Sequence, residues 1–230
     1  MPGEPEASGQ SLTDILGGRK GALDAGVPAV AFVTAWAVCN AVTGRPGAAT
    51  GVLYGAAAAV VTGVVLAVFR LVRGTRPAGV VLSLLGVVVA ALVVLRTGRA
   101  ADFFLLQIAS NAASVLLWVA SITIRWPLLG VIVGLILRQR TRWRHDPDLL
   151  RGYARASWIW VAQYVLRLAL FIPLYLADQV IALGIARALT WVPTVACIAL
   201  SWPAMRTALP EDHPGVRYPR SGPGESVHGP

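Results

Sequence analysis

Long apolar runs separated by short basic turns dominate the order of residues in this chain. Four of these runs contain no Asp, Glu, Lys or Arg, and each is close to the length at which a helix crosses a bilayer, about 20 residues. None carries the polar stripe of a surface helix in a soluble protein. The pattern therefore predicts four transmembrane helices, at about 25–44, 46–69, 77–95 and 103–124.

Three later apolar segments depart from this simple pattern. The runs 156–177 and 179–205 are long enough to span, but Arg167 interrupts the first and Arg187 the second. The segment 127–137 would rise only about 16 Å as a helix, which is too short to cross a bilayer. The predicted fold is therefore an all-α polytopic membrane helix bundle, with about six transmembrane helices and a short re-entrant or interfacial half-helix.

The distribution of basic residues predicts the orientation of these helices, because cytoplasmic loops are enriched in Lys and Arg. If the half-helix returns to the side from which it came, the main basic clusters all lie on one side of the membrane. If it crosses, the largest cluster faces outward. We therefore expect cytoplasmic N- and C-termini and a basic cytoplasmic loop at 138–155. The clusters are Arg19 with Lys20, then Arg70, Arg73 and Arg76, then Arg138, Arg140, Arg142, Arg144, Arg151 and Arg155.

The basic loop ends in a well-marked helix start. Asp146 is suited to the N-cap, Pro147 to the first helical position, and Asp148 to the positive end of the helix dipole. The six loop arginines are predicted to contact anionic lipid headgroups. A dedicated docking surface for a partner is the alternative.

The two ends of the chain are polar. Residues 1–20 lack the pattern of a cleaved signal peptide and contain Ser11 and Asp14, which favour a short interfacial helix. Residues 210–230 are rich in Pro, Gly and charge and are predicted to be disordered.

Composition supports a membrane protein and weakens other classes. Apolar residues make up 56% of the 230 and charged residues 13%, whereas soluble domains carry about 25% charged residues. The net charge of +9 comes from arginines between apolar runs, so anionic lipid is the expected partner rather than nucleic acid. A membrane-protein partner or a homo-oligomer is a further expectation. The excess of Ala, Val, Gly and Arg indicates a GC-rich genome and hence a bacterial inner membrane.

The arginines inside the last two spans are the most informative polar positions, since ionisable groups within a membrane are costly and often functional. Arg167 and Arg187 cannot neutralise each other, and they need polar partners such as Asp102, Gln107 and Asn111. Three interpretations are open: a polar cavity for a ligand, hydrogen bonds that hold the helices together, or a last helix that starts at about Ala188 and leaves Arg187 at the interface. A separate ion pair, between Asp24 and Arg125, is geometrically feasible on the cytoplasmic side.

No catalytic or metal site is predicted. Cys39 and Cys197 lie in apolar runs, and the three histidines, His145, His213 and His228, are scattered. No nucleophile, phosphate-binding or zinc motif occurs in a suitable context. We therefore expect no cofactor and no enzymatic activity.

Several short motifs resemble an uncharacterised family of actinobacterial integral-membrane proteins known only as a domain of unknown function. They are the Arg96 to Phe104 turn, Asn111, and Arg125-Trp126-Pro127-Leu128 with Gly130 and Gly134, and the resemblance runs from about Leu12 to Leu209. More distantly, the layout is similar to the intracellular septation protein A family, which implies a role near envelope synthesis or division.

Two functions are therefore carried forward. The first is a non-enzymatic scaffold or regulator of cell-envelope machinery, favoured by the missing catalytic groups and the basic cytoplasmic loop. The second is a small transporter or channel with a polar site around Arg167, Arg187 and Asn111.

Overall fold

The computed structural model describes residues 26–44, 49–75, 77–137 and 141–210, and all regular elements within them are helical. The interfacial helix predicted in residues 1–20, nearly all of the tail predicted at 210–230, and Asp24, Arg138 and Arg140 lie outside the described residues. Short 3-10 turns cover Ala100–Phe104 and Arg142–His145. The α-helices are α1 (Val27–Thr43), α2 (Ala49–Val72), α3 (Pro77–Thr97), α4 (Leu105–Thr123), α5 (Leu128–Ile136), α6 (Pro147–Leu176), α7 (Val180–Ala188) and α8 (Trp191–Arg206).

Most of these helices are suited to a bilayer. Within the described residues, five helical stretches are long and apolar enough to cross a membrane. They are α2, α3, α4 with the 3-10 turn before it, α6, and α7 together with α8, and α1 is a shorter apolar helix. The predicted half-helix is α5, whose nine residues rise only about 14 Å. The structure thus confirms the predicted fold class, a polytopic membrane helix bundle.

The chain divides into two compact units. In the first, formed by residues up to Leu105 together with Leu174–Trp191, α1 packs on α2 and α7. The fully buried Phe32 stacks on Phe103, with 4.2 Å between ring centroids. Small residues permit these contacts: a Cβ added at Gly55 would lie 3.0 Å from the Phe32 ring, and one at Gly184 would lie 2.7 Å from Val33.

The second unit contains Leu106–Pro173 and the residues from Val192 onward. Its α4 ends in a tight turn at which Arg125 adopts a left-handed φ of 56°. The Ser121 hydroxyl, near the end of α4, accepts a hydrogen bond from the Leu128 amide (3.3 Å). The turn therefore leads directly into α5.

The last predicted span, 179–205, is divided into α7 and α8 by a turn at Leu189 and Thr190. Pro193 explains the break, because it has no amide proton to donate to Leu189 and its ring crowds that carbonyl. The Thr190 hydroxyl caps the end of α7 by donating to the Arg187 carbonyl (2.7 Å). Arg187 consequently lies in the last turn of a short helix.

Candidate functional site

Arg167 lies well inside α6 and bonds to α8. Its Nη2 donates to the Thr194 hydroxyl at 2.7 Å. Gln163, one turn earlier and 4% exposed, joins them when its amide is oriented to satisfy both of its polar atoms. Its nitrogen then donates to the Pro193 carbonyl (3.1 Å), and its oxygen accepts from Arg167 Nη2 (3.0 Å). The guanidinium is therefore held by groups of its own unit.

The same two helices are bonded again further along. The Trp160 indole nitrogen donates to the Ser201 hydroxyl at 3.1 Å. The Trp160 ring also stacks on Trp118 of α4, with 5.3 Å between centroids. As the residue number falls from 167 to 160 on α6, the partner number rises from 194 to 201 on α8, so the helices run antiparallel. We call Trp160, Gln163, Arg167, Thr194 and Ser201 the polar seam.

Gln107 and Asn111, two other predicted members of the intramembrane cluster, pair with each other on α4. Gln107 Nε2 donates to Asn111 Oδ1 at 3.1 Å. Asn111 is only 2% exposed, and its amide nitrogen has no hydrogen-bond partner in the described part of the chain. The structure thus brings these two residues together in the second unit.

Asp102 has its own set of partners in the first unit. Its Oδ1 accepts a hydrogen bond from the Tyr175 hydroxyl at 2.7 Å, and Arg99 Nη1 lies 3.9 Å from the same oxygen. Arg99 also lies 3.8 Å from the Asp178 carboxylate and faces the Tyr175 ring. Asp102 is buried and the Arg99 side chain is half exposed. The carboxylate expected to serve the intramembrane arginines is therefore bonded by a nearby arginine and a distant tyrosine.

The first unit also buries polar groups that the sequence did not single out. The Trp36 indole nitrogen and both amide atoms of Asn40 are buried and have no hydrogen-bond partner in the described part of the chain. A Cβ added at Gly51 would lie 2.5 Å from the Asn40 amide oxygen. Asn40 therefore fits against α2 only because residue 51 is glycine. A single uncharged Asn in an apolar run gave no sequence signal for this contact.

The basic loop is folded around a buried tryptophan. Trp143 is 1% exposed and meets the Tyr153 ring edge-on, with 5.5 Å between centroids. Its ring also lies over Gly130 of α5, where a Cβ would come within 2.7 Å. Leu149 and Met205 complete the apolar cluster. The half-helix and the start of α6 are thus joined by one small core.

The predicted start of α6 is confirmed. Asp146 is fully buried, and its Oδ1 accepts hydrogen bonds from the amides of Asp148 (3.0 Å) and Leu149 (3.3 Å). These bonds satisfy two of the free amides at the helix start. This geometry fixes the backbone from which the neighbouring arginines project.

The arginines around this core point outward. Arg144 lies over the Trp126 ring at 4.6 Å, and Arg151 bonds to Asp148 at 2.6 Å. We call the exposed described arginines of this region the basic cap; they are Arg142, Arg144, Arg151 and Arg155. Their contact with lipid headgroups stays a prediction, as does that of Arg138 and Arg140, which lie outside the described residues.

Two other predicted positions can be located only in part. Arg125 is exposed at the turn after α4, but its predicted partner Asp24 lies outside the described residues. Arg187 is half buried on α7 in the first unit, whereas Arg167 belongs to the second. Within the described part of the chain, no group of three or more His, Cys, Asp or Glu residues could hold a metal ion.

Comparison with known proteins places the chain in a family. Residues 16–212 match the family described as Protein of unknown function (DUF3159). The chain belongs to this family. Searches of curated proteins and of solved structures gave no significant match. The expected relationship to an uncharacterised domain of unknown function is thereby confirmed.

The DUF3159 match covers all of the polar groups described above, from Trp36 to Ser201. Sequence reasoning identified Arg167, Gln107 and Asn111 by their depth within apolar runs. It missed Thr194 and Ser201, because single hydroxyl residues are common in membrane helices. It also missed Tyr175, which meets Asp102 from 73 positions away.

Proposed function

We propose that this integral membrane protein is a non-enzymatic scaffold or regulator of cell-envelope machinery in the bacterial inner membrane. The observation that carries the proposal is the basic cap. Its four exposed arginines project from a frame fixed by buried Trp143 and by the Asp146 N-cap. Because the backbone that carries these arginines is fixed, less of it has to be ordered on binding, which favours a specific acidic partner.

The polar seam supports this proposal by giving Arg167 a structural task. Arg167 bonds to Thr194 and Gln163 within the bundle. Hydrogen bonds of this kind hold membrane helices together where the hydrophobic effect cannot. A unit whose helices are bonded in this way is a suitable base for a docking surface.

The orientation in this proposal follows the positive-inside rule. The cap arginines and those after α2 lie on the cytoplasmic side, together with both ends of the chain. The distant resemblance of the sequence layout to the intracellular septation protein A family is our reason for placing this role near envelope synthesis or division. The envelope role and the actinobacterial source are part of this proposal.

Site-directed photo-crosslinking in the native host tests the scaffold proposal. A benzophenone amino acid is placed at Arg155 on the cap, and at Gly79 on α3 as a control that faces away from the rest of the first unit. We expect one reproducible crosslinked protein species from position 155 that is missing from position 79. A monomer without protein crosslinks from either position would contradict a scaffold.

A transporter or channel is the second candidate, and Asn111 favours it. This amide is buried, and its nitrogen lacks a partner in the described residues, as expected of a group that meets a polar ligand. Arg167, in the same unit as Asn111, would add positive charge for an anion. Replacement of Arg167 by Leu discriminates: unchanged folding with lost anion uptake into proteoliposomes favours transport, and lost folding favours a structural role.

A further inference from the structure

A groove opens between α2 and α3 in the first unit, at the end where α2 finishes. Including the space open to its surroundings, it measures about 360 Å³. Gly63 and Ala67 form the floor, and a Cβ at Gly63 would already lie 3.4 Å from Leu84 and Val87. Small residues of α2 therefore face larger residues of α3 along the floor of the groove.

The polar groups of this groove follow a definite order along the helices. Arg70, in the last turn of α2, lines the groove closest to the helix end. Ser83 lies six residues into α3, about 9 Å from its start. Leu84 and Val87 continue deeper. The guanidinium therefore lies at the mouth with Pro28 and Val80, the hydroxyl about one turn deeper, and an apolar slot beyond it.

We propose that this groove binds one anionic phospholipid of the surrounding bilayer. The phosphate is held by Arg70, an ester oxygen accepts from the Ser83 hydroxyl, and the acyl chain fills the slot between Leu66 and Leu84. The order of groups in the groove matches the order of phosphate, glycerol ester and hydrocarbon in a lipid. The positive charge selects an anionic headgroup over a zwitterionic one. This proposal is independent of the scaffold function.

Native mass spectrometry of the full chain tests the site. The detergent-purified protein is exchanged against an equimolar mixture of phosphatidylglycerol and phosphatidylcholine, and the ratio of the two singly bound lipids is measured. Loss of one phosphate contact should lower the preference for phosphatidylglycerol about fivefold in Arg70→Gln. Arg73→Gln is the matched control, because Arg73 follows the same helix end but lies over the Phe69 ring at 4.0 Å and does not line the groove.

A second variant tests the contribution of the hydroxyl and the apolar slot while it leaves the charge of Arg70 in place. Ser83 is exposed, so Ser83→Leu should fold normally while it fills the slot and removes the hydroxyl. We expect it to lose the tightly held lipid of either class, although Arg70 is intact. The proposal is overturned if Ser83→Leu binds lipid like the wild type, or if Arg73→Gln reduces the preference as much as Arg70→Gln. The Ser83→Leu result decides alone if Arg70→Gln does not fold.

Discussion

In the first unit, α1 lies against α2 because Gly55 leaves room for the Phe32 ring, whereas in the second unit α6 is bonded to α8 through the side chains of the polar seam. Both contacts address the same physical problem. Lipid tails are as apolar as the helices, so burial of apolar surface alone does not drive helix association. Close packing of small residues answers it where α1 meets α2, and hydrogen bonding answers it where α6 meets α8.

The comparison also explains why Arg167 is tolerated. The contact between Gly55 and Phe32 uses no polar side chain. The seam contains hydroxyl and amide groups that meet a guanidinium at 2.7 and 3.0 Å. Arg167 is therefore accommodated at the helix contact that uses polar groups. The two contacts should respond differently to changes in volume and to changes in polarity.

The largest expected effect is a change of volume in the first unit. Gly55→Leu places a large side chain where even a Cβ would lie 3.0 Å from Phe32. We expect a loss of about 3 kcal/mol of stability or failure to fold, measured by unfolding in an SDS titration. Gly79→Leu is the matched control, since nothing lies within 4 Å of a Cβ at Gly79. Equal stability of the two variants would contradict the packing argument.

A smaller effect is expected from removal of the charge in the second unit. Arg167→Leu deletes the bonds to Thr194 and Gln163 and should cost about 1.5 kcal/mol in the same titration. Arg96→Leu removes an exposed arginine from the last turn of α3 and should be nearly neutral. If Arg167→Leu proves more stable than the wild type, the hydrogen bonds of the guanidinium do not stabilise the contact between α6 and α8.

The smallest effect should come from the other end of the seam. Trp160→Phe keeps an aromatic ring against Trp118 but removes the donor to Ser201. We expect a cost of about 0.6 kcal/mol, the average for a hydrogen bond between membrane helices. Ser201→Ala should cost a similar amount and add nothing further in the double variant. Fully additive losses would show that the two side chains act separately.

Much of the fold could be predicted from the sequence, because long uncharged runs need a bilayer and the N-cap at Asp146 follows a local rule. The short helix α5 was predicted from its length alone. The break before α8 is also local, but the effect of Pro193 was not recognised. Only the alternative start at about Ala188 anticipated a shorter last helix.

The polar contacts were harder to predict. Asp102 was considered as a partner for the intramembrane arginines, and the structure places it with Tyr175 and Arg99. The contact with Arg99 is three positions away and follows from local spacing. The contact with Tyr175 depends on how distant segments meet, which apolar periodicity does not specify. The hydrogen bond between Arg167 and Thr194 could not be predicted for the same reason, because it also joins two distant segments.

The most direct test of the central claim is a double-mutant cycle between Arg167 and Thr194. Stability in the SDS titration is measured for the wild type, Arg167→Leu, Thr194→Val and the double variant. If Arg167 holds α6 to α8, the two changes should couple by about 1 kcal/mol, because the double variant loses the shared bond only once. Losses that add to within about 0.3 kcal/mol would contradict the claim.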